Sequence, residues 1–387
     1  MLDLTEKLKQ IARQQTKWKG LIDRAKLFAP PGAQPAPATL NESRDFGPNP
    51  GALRMFSHVP AGLGADAPLV VVLHGCSQTA AGYDTGAGWS TLADRYGFAV
   101  LYPEQQASNN ANLCFNWFVP SDTQRGQGEP ASIRAMIETM VAEHQLDMDR
   151  IYITGLSAGG AMTSVMLATY PDVFEAGAII AGLPHGAAKN VQEAFEAMFQ
   201  APARQAPVWG DLVRRASPHS GSWPRISVWH GDADRTVVPA NADEIVKQWR
   251  DVHGLPEAPT LIEDVNGHAR NVWRDATGAD VIESYTIKGM AHGTPLSVGD
   301  GDDQAGAATA FLIEAGISST FHAAKFFGIA AAQAAPVRQK KTPALQVKSI
   351  DPPRPDRPAR QAPKLPVGVD VHGVITRALT AAGLMKR

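Results

Sequence analysis

The sequence predicts an α/β fold, a mostly parallel sheet flanked by helices, and three observations carry that expectation. Short, continuous, β-branched apolar runs recur along the chain, with Leu69 to Leu73 (LVVVL) the clearest. A run that is apolar at every position belongs in a strand buried on both faces, as in a parallel sheet covered by helices. These runs alternate with segments of helical periodicity such as Trp89 to Tyr96 and Ala240 to Val252, the pattern of strand–helix–strand units. The third observation is Ile151 to Met162, IYITGLSAGGAM, where a strand enters Gly155-Leu156-Ser157-Ala158-Gly159 and then a helix of small residues. A serine at the tip of so tight a turn adopts strained backbone angles, and its neighbours must be small for strand and helix to pass.

Composition bounds the rest. The 387 residues could hold two average domains, yet α/β folds of about 250 to 300 residues are routinely single, so one large core with appendages is expected. With 44% hydrophobic and 19% charged residues the chain is of globular type, and no apolar run approaches the roughly 20 residues of a membrane span. Net charge is −2 but unevenly spread. Residues 1–28 and 330–387 together hold 18 Lys and Arg against 6 acids; of the chain's 36 and 38 this leaves 18 basic and 32 acidic residues between them, a net of −14. An acidic core with basic ends excludes nucleic-acid binding by the core and assigns any polyanion contact to the termini.

Taken in order, residues 1–28 place Leu4, Leu8, Ile11, Trp18 and Ile22 near one face, an amphipathic basic helix that docks on the body of the protein or on a membrane or polymer-granule surface. Met1 to Ala29 has no continuous apolar segment or small-residue cleavage site, so it does not read as a secretory signal; the chain by itself reads as cytoplasmic or exported by another route. A Pro-rich linker is expected over 29–44 and the catalytic domain over 45–328, its first strand within Ala52 to Val59. Leu69 to Leu73 runs into His74-Gly75-Cys76. In α/β-hydrolases such a strand-then-HG arrangement opens the loop that donates the second oxyanion N–H, which makes Cys76 the candidate partner to the N–H of Ala158, while His74 is expected to be a structural strand-end residue.

Phe98 to Tyr102 reads as the next strand, closed by Pro103, and a long polar loop follows that carries Cys114, Phe115, Trp117 and Phe118. Trp117 is either a wall of a ligand pocket or internal packing beneath the loop. Glu129 and Pro130 start a helix to about Gln145, with Glu129 a helix-start acid rather than a catalyst. Phe174 to Ala181 is another strand, and the loop after it brings His185 among the expected substrate contacts. Lys189 to Trp223 lacks a sheet pattern and is expected to form a helical insertion over the site, a candidate lid.

The strand Arg225 to His230 leads into GDADRTVVP, where Asp232 and Asp234 compete to orient a catalytic imidazole. The HG-x-x-D spacing selects Asp234 and leaves Asp232 to fix the turn. Thr260 to Asp264, Ala269 to Arg274 and Val281 to Ile287 supply further strands, the last two joined through the Gly278 turn. In KGMAHGTPL, His292 stands in a short glycine-flanked loop just past a strand; His253 at a helix end and His268 in a turn lack that setting. Ser157, Asp234 and His292 thus follow the chain order Ser, Asp, His of α/β-hydrolases. Ala305 to Ala315 and Ser319 to Phe327 read as closing helices, 329–366 as a disordered basic tail rich in proline, and 367–387 as a short terminal helix. Two cysteines are too few for a metal site or a disulfide scaffold; one bridge between them is left open.

VVLHGCSQTAAGY, CFNWF, RGQGEP, TGLSAGGAM, WHGDADRTVVP and GMAHG, in this order, resemble the poly(3-hydroxybutyrate) depolymerase family of esterases, whose relatives include feruloyl and acetylxylan esterases. The resemblance covers roughly residues 45–328. It implies an α/β-hydrolase fold, a serine nucleophile at Ser157, an acid at Asp234, a base at His292, a Cys76–Cys114 bridge, and Trp117 lining the substrate cleft. It also implies an extracellular enzyme, since many relatives are secreted. The expected activity is hydrolysis of carboxylic esters, poly(3-hydroxybutyrate) or other short-chain hydroxyalkanoates first and feruloyl or acetylxylan esters as the alternative, with no metal or organic cofactor. A granule- or membrane-surface binding protein with little catalysis is the reading from another class.

Overall fold

The computed structural model describes residues 40–330. The expectations for 1–28, for the Pro-rich run to Pro37, and for the tail and terminal helix after Ala330 lie outside them.

Ten strands form one sheet, in the spatial order β1-β2-β4-β3-β5-β6-β7-β10-β9-β8. They are β1 (Asn41–Ser43), β2 (Arg54–His58), β3 (Leu69–Leu73), β4 (Ala99–Glu104), β5 (Ile151–Leu156), β6 (Ala176–Ile180), β7 (Arg225–Gly231), β8 (Leu261–Val265), β9 (His268–Arg274) and β10 (Asp280–Ile287). The six central strands from β4 to β10 run parallel, and antiparallel pairs close both edges. The mostly parallel, helix-flanked sheet that the apolar runs predict is therefore present. β1 opens it at Asn41, inside the stretch assigned to the linker, and Pro103 lies within β4 rather than beyond it.

Among the described residues the helices are α1 (Ala80–Ala87), α2 (Trp89–Tyr96), α3 (Gly128–His144), α4 (Ala158–Thr169), α5 (Val191–Gln200), α6 (Ala206–Arg214), α7 (Ala240–His253) and α8 (Ser319–Phe327). They cover the sheet on both faces. Leu69, Val71 and Leu73 of β3 face a core shared with α3, α4, α6 and α7, while Val70 and Val72 face the one shared with α1, α2 and α8. Every residue of β3 is buried, which is why its sequence shows no alternation.

Two elements differ from expectation. Helix α1, AAGYDTGA, carries two glycines and gives no periodic signal, yet forms because tertiary contacts hold it. Thr79 caps it, Tyr83 is fully buried with its hydroxyl on Thr294 at 3.0 Å, and buried Asp84 accepts the Ser90 N–H at 2.8 Å. The helix read over Ala305 to Ala315 is absent. Its alanines have the propensity, but Gly306 and Phe311 hold φ of 81° and 64°, and the Ala307 N–H donates to the Gly86 carbonyl at 3.0 Å. The chain there is extended across α1, and β12 (Leu312–Glu314) pairs in parallel with β11 (Thr294–Leu296) just beyond His292.

Candidate active site

The site is built where β5, β7 and β10 end. Ser157 stands between β5 and α4 with φ 57° and ψ −115°, a left-handed-side conformation that a side chain adopts only when its surroundings enforce it. Its N–H donates to Ile180 at 2.9 Å and its carbonyl accepts from Ala161 at 2.8 Å, so the strained residue is clamped from both sides. The flanking glycines are required by contact: a Cβ at Gly155 would collide with the Gly159 carbonyl, and one at Gly159 with the carbonyls of Leu73 and His74.

His292 is delivered by the loop after β10. That loop crosses the end of β7 so closely that a Cβ on Gly231 would strike the Met290 carbonyl. The Ala233 N–H donates to Met290 at 3.1 Å, and exposed Asp232 accepts the Gly289 N–H at 2.6 Å. Asp232 thus fixes the loop, while Asp234 meets the imidazole: its Oδ2 lies 2.7 Å from His292 Nδ1, and His292 Nε2 lies 2.9 Å from Ser157 Oγ. All three side chains are buried.

Asp234 is saturated as an acceptor. Thr236 and Val237 donate their N–H groups to Oδ1 at 2.8 and 3.0 Å, and His230 Nε2, which also donates to the Val237 carbonyl at 2.8 Å, stands 3.3 Å from Oδ2. Burial alone would raise this carboxyl, but the charge and hydrogen bond of His292 together with His230 hold it well below the usual range. An ionised Asp234 accepts only, so His292 carries its proton on Nδ1 and leaves Nε2 to accept from the Ser157 hydroxyl.

Cys76 and Ala158 both line the cavity in front of Ser157, Ala158 as the first residue of α4. A helix N-terminus offers unpaired N–H groups and favours negative charge. The loop that carries Cys76 is braced twice to the aromatic loop, by the Cys76–Cys114 disulfide and by the Ser77 N–H donating to Asn112 at 2.7 Å. Behind it, His74 donates Nδ1–H to the Gly75 carbonyl at 2.8 Å and accepts the Gln105 N–H at 3.1 Å; burial pushes its imidazole down to about 4, so it is a neutral structural group.

Glu129 proves to be more than a helix start. It is buried, accepts from Gln105 Nε2 at 2.6 Å and from the Asn116 N–H at 2.9 Å, and burial pushes its carboxyl up to about 8 against those bonds. Through Gln105, which also donates to the Cys114 carbonyl at 3.1 Å, this acid ties α3 to the aromatic loop. Neither this role nor that of His230 is marked in the sequence, because each depends on partners 4 to 24 residues away, outside its own strand or helix.

A cavity of ≈ 570 Å³ opens at Ser157, walled by Asn110, Asn112, Trp117 and Phe118 on one side and by Leu183, Val237 and the α5 side chains Val191, Ala194, Phe195 and Met198 on the other. No charged side chain among the described residues lines it. The helical insertion therefore covers the site, and Trp117 both lines the cavity and packs edge-on against Phe118. His185 is not among these lining residues. Its backbone N–H and carbonyl are both taken by Gln248, at 3.0 Å each, and burial pushes its ring down to about 4; Leu183, two residues earlier, supplies the wall instead. Among the described residues no group of three or more His, Cys, Asp or Glu could hold a metal ion, and no helix is long and apolar enough to cross a membrane.

Comparison with known proteins places the chain among esterases. Residues 55–270 match the family model described as Esterase PHB depolymerase. The chain is 45% identical over 326 residues to poly(3-hydroxyalkanoate) depolymerase C of Paucimonas lemoignei, covering 83% of this chain and 78% of that protein. It is 36% identical over 267 residues to feruloyl esterase B of Neurospora crassa, covering 67% and 90%. Among solved structures, acetyl xylan esterase from Aspergillus awamori superposes with a TM-score of 0.64 at 26% identity, over 76% of this chain and all of that one.

Proposed function

The chain belongs to the PHB depolymerase family of esterases and is a carboxylic ester hydrolase, and from that premise we propose that it cleaves poly(3-hydroxybutyrate) or related short-chain hydroxyalkanoate esters through an acyl-enzyme on Ser157. The observation that carries the proposal is the unbroken Ser157–His292–Asp234 hydrogen-bond chain opening onto an uncharged cavity. Neutral esters with small apolar side groups suit such walls, whereas a charged substrate would lose hydration without a partner.

In the proposed mechanism, His292 Nε2 takes the Ser157 proton as Oγ attacks the ester carbonyl. The N–H groups of Cys76 and Ala158 stabilise the tetrahedral oxyanion, each at about 3 kcal/mol of transition-state stabilisation. Imidazolium at His292, supported by the Asp234 charge, protonates the departing alcohol oxygen; water then repeats the cycle on the acyl-enzyme. Feruloyl esters are the second reading, favoured by the aromatic wall of Trp117 and Phe118. The Cys76–Cys114 bridge supports an oxidising working compartment, and the basic ends, 1–28 and 330–387, support contact with an anionic granule surface.

Ser157→Ala is the direct test. Hydrolysis of suspended poly(3-hydroxybutyrate) granules, followed by turbidity, is expected to fall by about 10⁴ to 10⁶ in rate. A variant that clears granules as fast as the parent removes the mechanism; a parent that clears none while cleaving feruloyl esters transfers the assignment to the second reading.

A further inference from the structure

Helix α5 walls the cavity with Val191, Ala194, Phe195 and Met198. Its last carbonyls have no partner deeper in the helix, as at any helix C-terminus. Two of them are bound from a distance: Met198 accepts the Val238 N–H at 2.8 Å, and Ala197 accepts from Nδ2 of Asn241 at 3.0 Å. Among the described residues these are the hydrogen bonds that tie α5 to a distant part of the chain, and both come from the segment that follows Asp234.

That segment is also the seat of the triad acid. The Val237 N–H donates to Asp234 Oδ1 at 3.0 Å. The next peptide unit, from Val237 to Val238, is a rigid plane. Its carbonyl accepts from His230 Nε2 at 2.8 Å, and its N–H is the group that reaches Met198. His230 Nε2 in turn stands 3.3 Å from Asp234 Oδ2. A single peptide plane therefore stands between the wall of the cavity and the groups that hold both oxygens of Asp234.

Asn241 closes the joint. It is fully buried, and Nδ2 donates to the Val238 carbonyl at 3.2 Å as well as to Ala197, so one amide holds α5 and the Asp234 segment together. Carbonyls only accept, which fixes the NH₂ on their side and leaves Oδ1 buried without a partner. An unpaired buried acceptor is destabilising, and an apolar side chain of the same size would avoid it. The two donor bonds are what asparagine adds at this position.

We propose that Asn241 is a positioning residue that makes α5 and Asp234 one mechanical unit, so that an acyl group packed against α5 tightens the contact of Asp234 with His292 and raises turnover as well as binding. Contact energy at a wall remote from the reacting atoms then appears in the chemical step. An acetyl group is too short to press on α5 and draws nothing from the joint; a longer uncharged acyl group does. Formation and hydrolysis of the acyl-enzyme both use His292, so the effect is present whichever limits the rate.

The inference rests on the serine-esterase reading, and the test separates the two. Steady-state kcat and KM are measured for p-nitrophenyl acetate and p-nitrophenyl hexanoate, with active sites counted by fluorophosphonate labelling of Ser157 so that unfolded protein does not enter. The parent is expected to show a hexanoate-to-acetate kcat ratio above one. Asn241→Leu, which keeps the size of the side chain and removes both donor bonds, is expected to cut that ratio about tenfold. Phe195→Ala removes a wall contact and leaves both bonds in place. It should lower the ratio in the parent and lower it no further in Asn241→Leu, because a broken joint passes nothing on. Additive effects of the two substitutions, or an unchanged ratio in Asn241→Leu, overturn the coupling while the esterase stands. So does a parent whose kcat does not rise from acetate to hexanoate, a result that decides the matter even where Asn241→Leu fails to fold. A parent inactive on both esters and unlabelled at Ser157 overturns the coupling and the esterase together.

Discussion

Replacing Asp234 by asparagine keeps the shape of the side chain and removes one charge and one acceptor. Two backbone N–H groups, of Thr236 and Val237, point at Oδ1, and leaving either unpaired in this buried place costs about 1 to 3 kcal/mol. The amide oxygen therefore stays with them, and the amide NH₂ turns toward His292 Nδ1, 2.7 Å from the present Oδ2. Two donors cannot face each other. The imidazole gives up its Nδ1 proton and carries it on Nε2, where it donates to Ser157 Oγ and no longer accepts from it. The base is then in the wrong tautomer, and kcat is expected to fall about 10⁴-fold, ~5.5 kcal/mol of transition-state stabilisation. Initial rates on p-nitrophenyl butyrate at pH 7, with a urea titration to establish the folded fraction, measure this. Exposed Asp232 accepts the Gly289 N–H, a role that asparagine retains, so Asp232→Asn is expected to change the rate by about twofold or less. If Asp234→Asn keeps more than a tenth of parental activity, or Asp232→Asn loses as much as Asp234→Asn, the tautomer argument is refuted. Stability has its own pH signature: with a folded pKa below that of the unfolded carboxyl, about 3.9, Asp234 contributes in full above that value and loses its contribution as the pH falls through the folded one. The stability gap between parent and Asp234→Asn should close in strong acid.

Glu129 has the opposite sign. Its folded pKa, pushed up to about 8 from an ordinary 4.5, means that the folded state keeps a proton the unfolded chain has lost, so stability should decline as the pH rises between those values and level off above 8. Urea midpoints at pH 5, 7 and 9 should show that slope in the parent and a shallower one in Glu129→Gln; parallel slopes would count against a buried neutral acid. Gly231→Ala drives a methyl into the Met290 carbonyl, and relieving the contact displaces the loop that carries His292. The expected outcome is a stability loss of about 1 to 3 kcal/mol by urea titration with a fall in kcat larger than the loss of folded protein; an unchanged kcat would show that the loop yields without moving the imidazole.

Much of the fold was legible because its signals are local. A strand buried on both faces has to be apolar throughout, so LVVVL declares itself within five residues, and the elbow declares itself because glycine is the residue that lets β5 and α4 pass at Gly155 and Gly159. The misreadings have one cause in common. Alanine-rich 305–315 has helical propensity and α1 has little, yet contacts between them decide the reverse: Gly86 comes so close to Leu312 and Gly306 that the later segment lies extended across the helix.

By itself, then, the sequence determined the parallel sheet, the nucleophile turn and the order in which Ser157, Asp234 and His292 follow one another, since strand burial, backbone strain and spacing are properties of neighbours in the chain. Only the tertiary structure decided how closely His292 meets Asp234 and Ser157, that Leu183 rather than His185 walls the cavity, that Glu129 is a buried acid tied to the aromatic loop, and that Phe311 stands beside the catalytic imidazole. Those facts depend on groups brought together across 58 residues for Asp234 and His292, and 135 for His292 and Ser157. Over such distances the folded sheet sets the geometry that spacing along the chain leaves undefined.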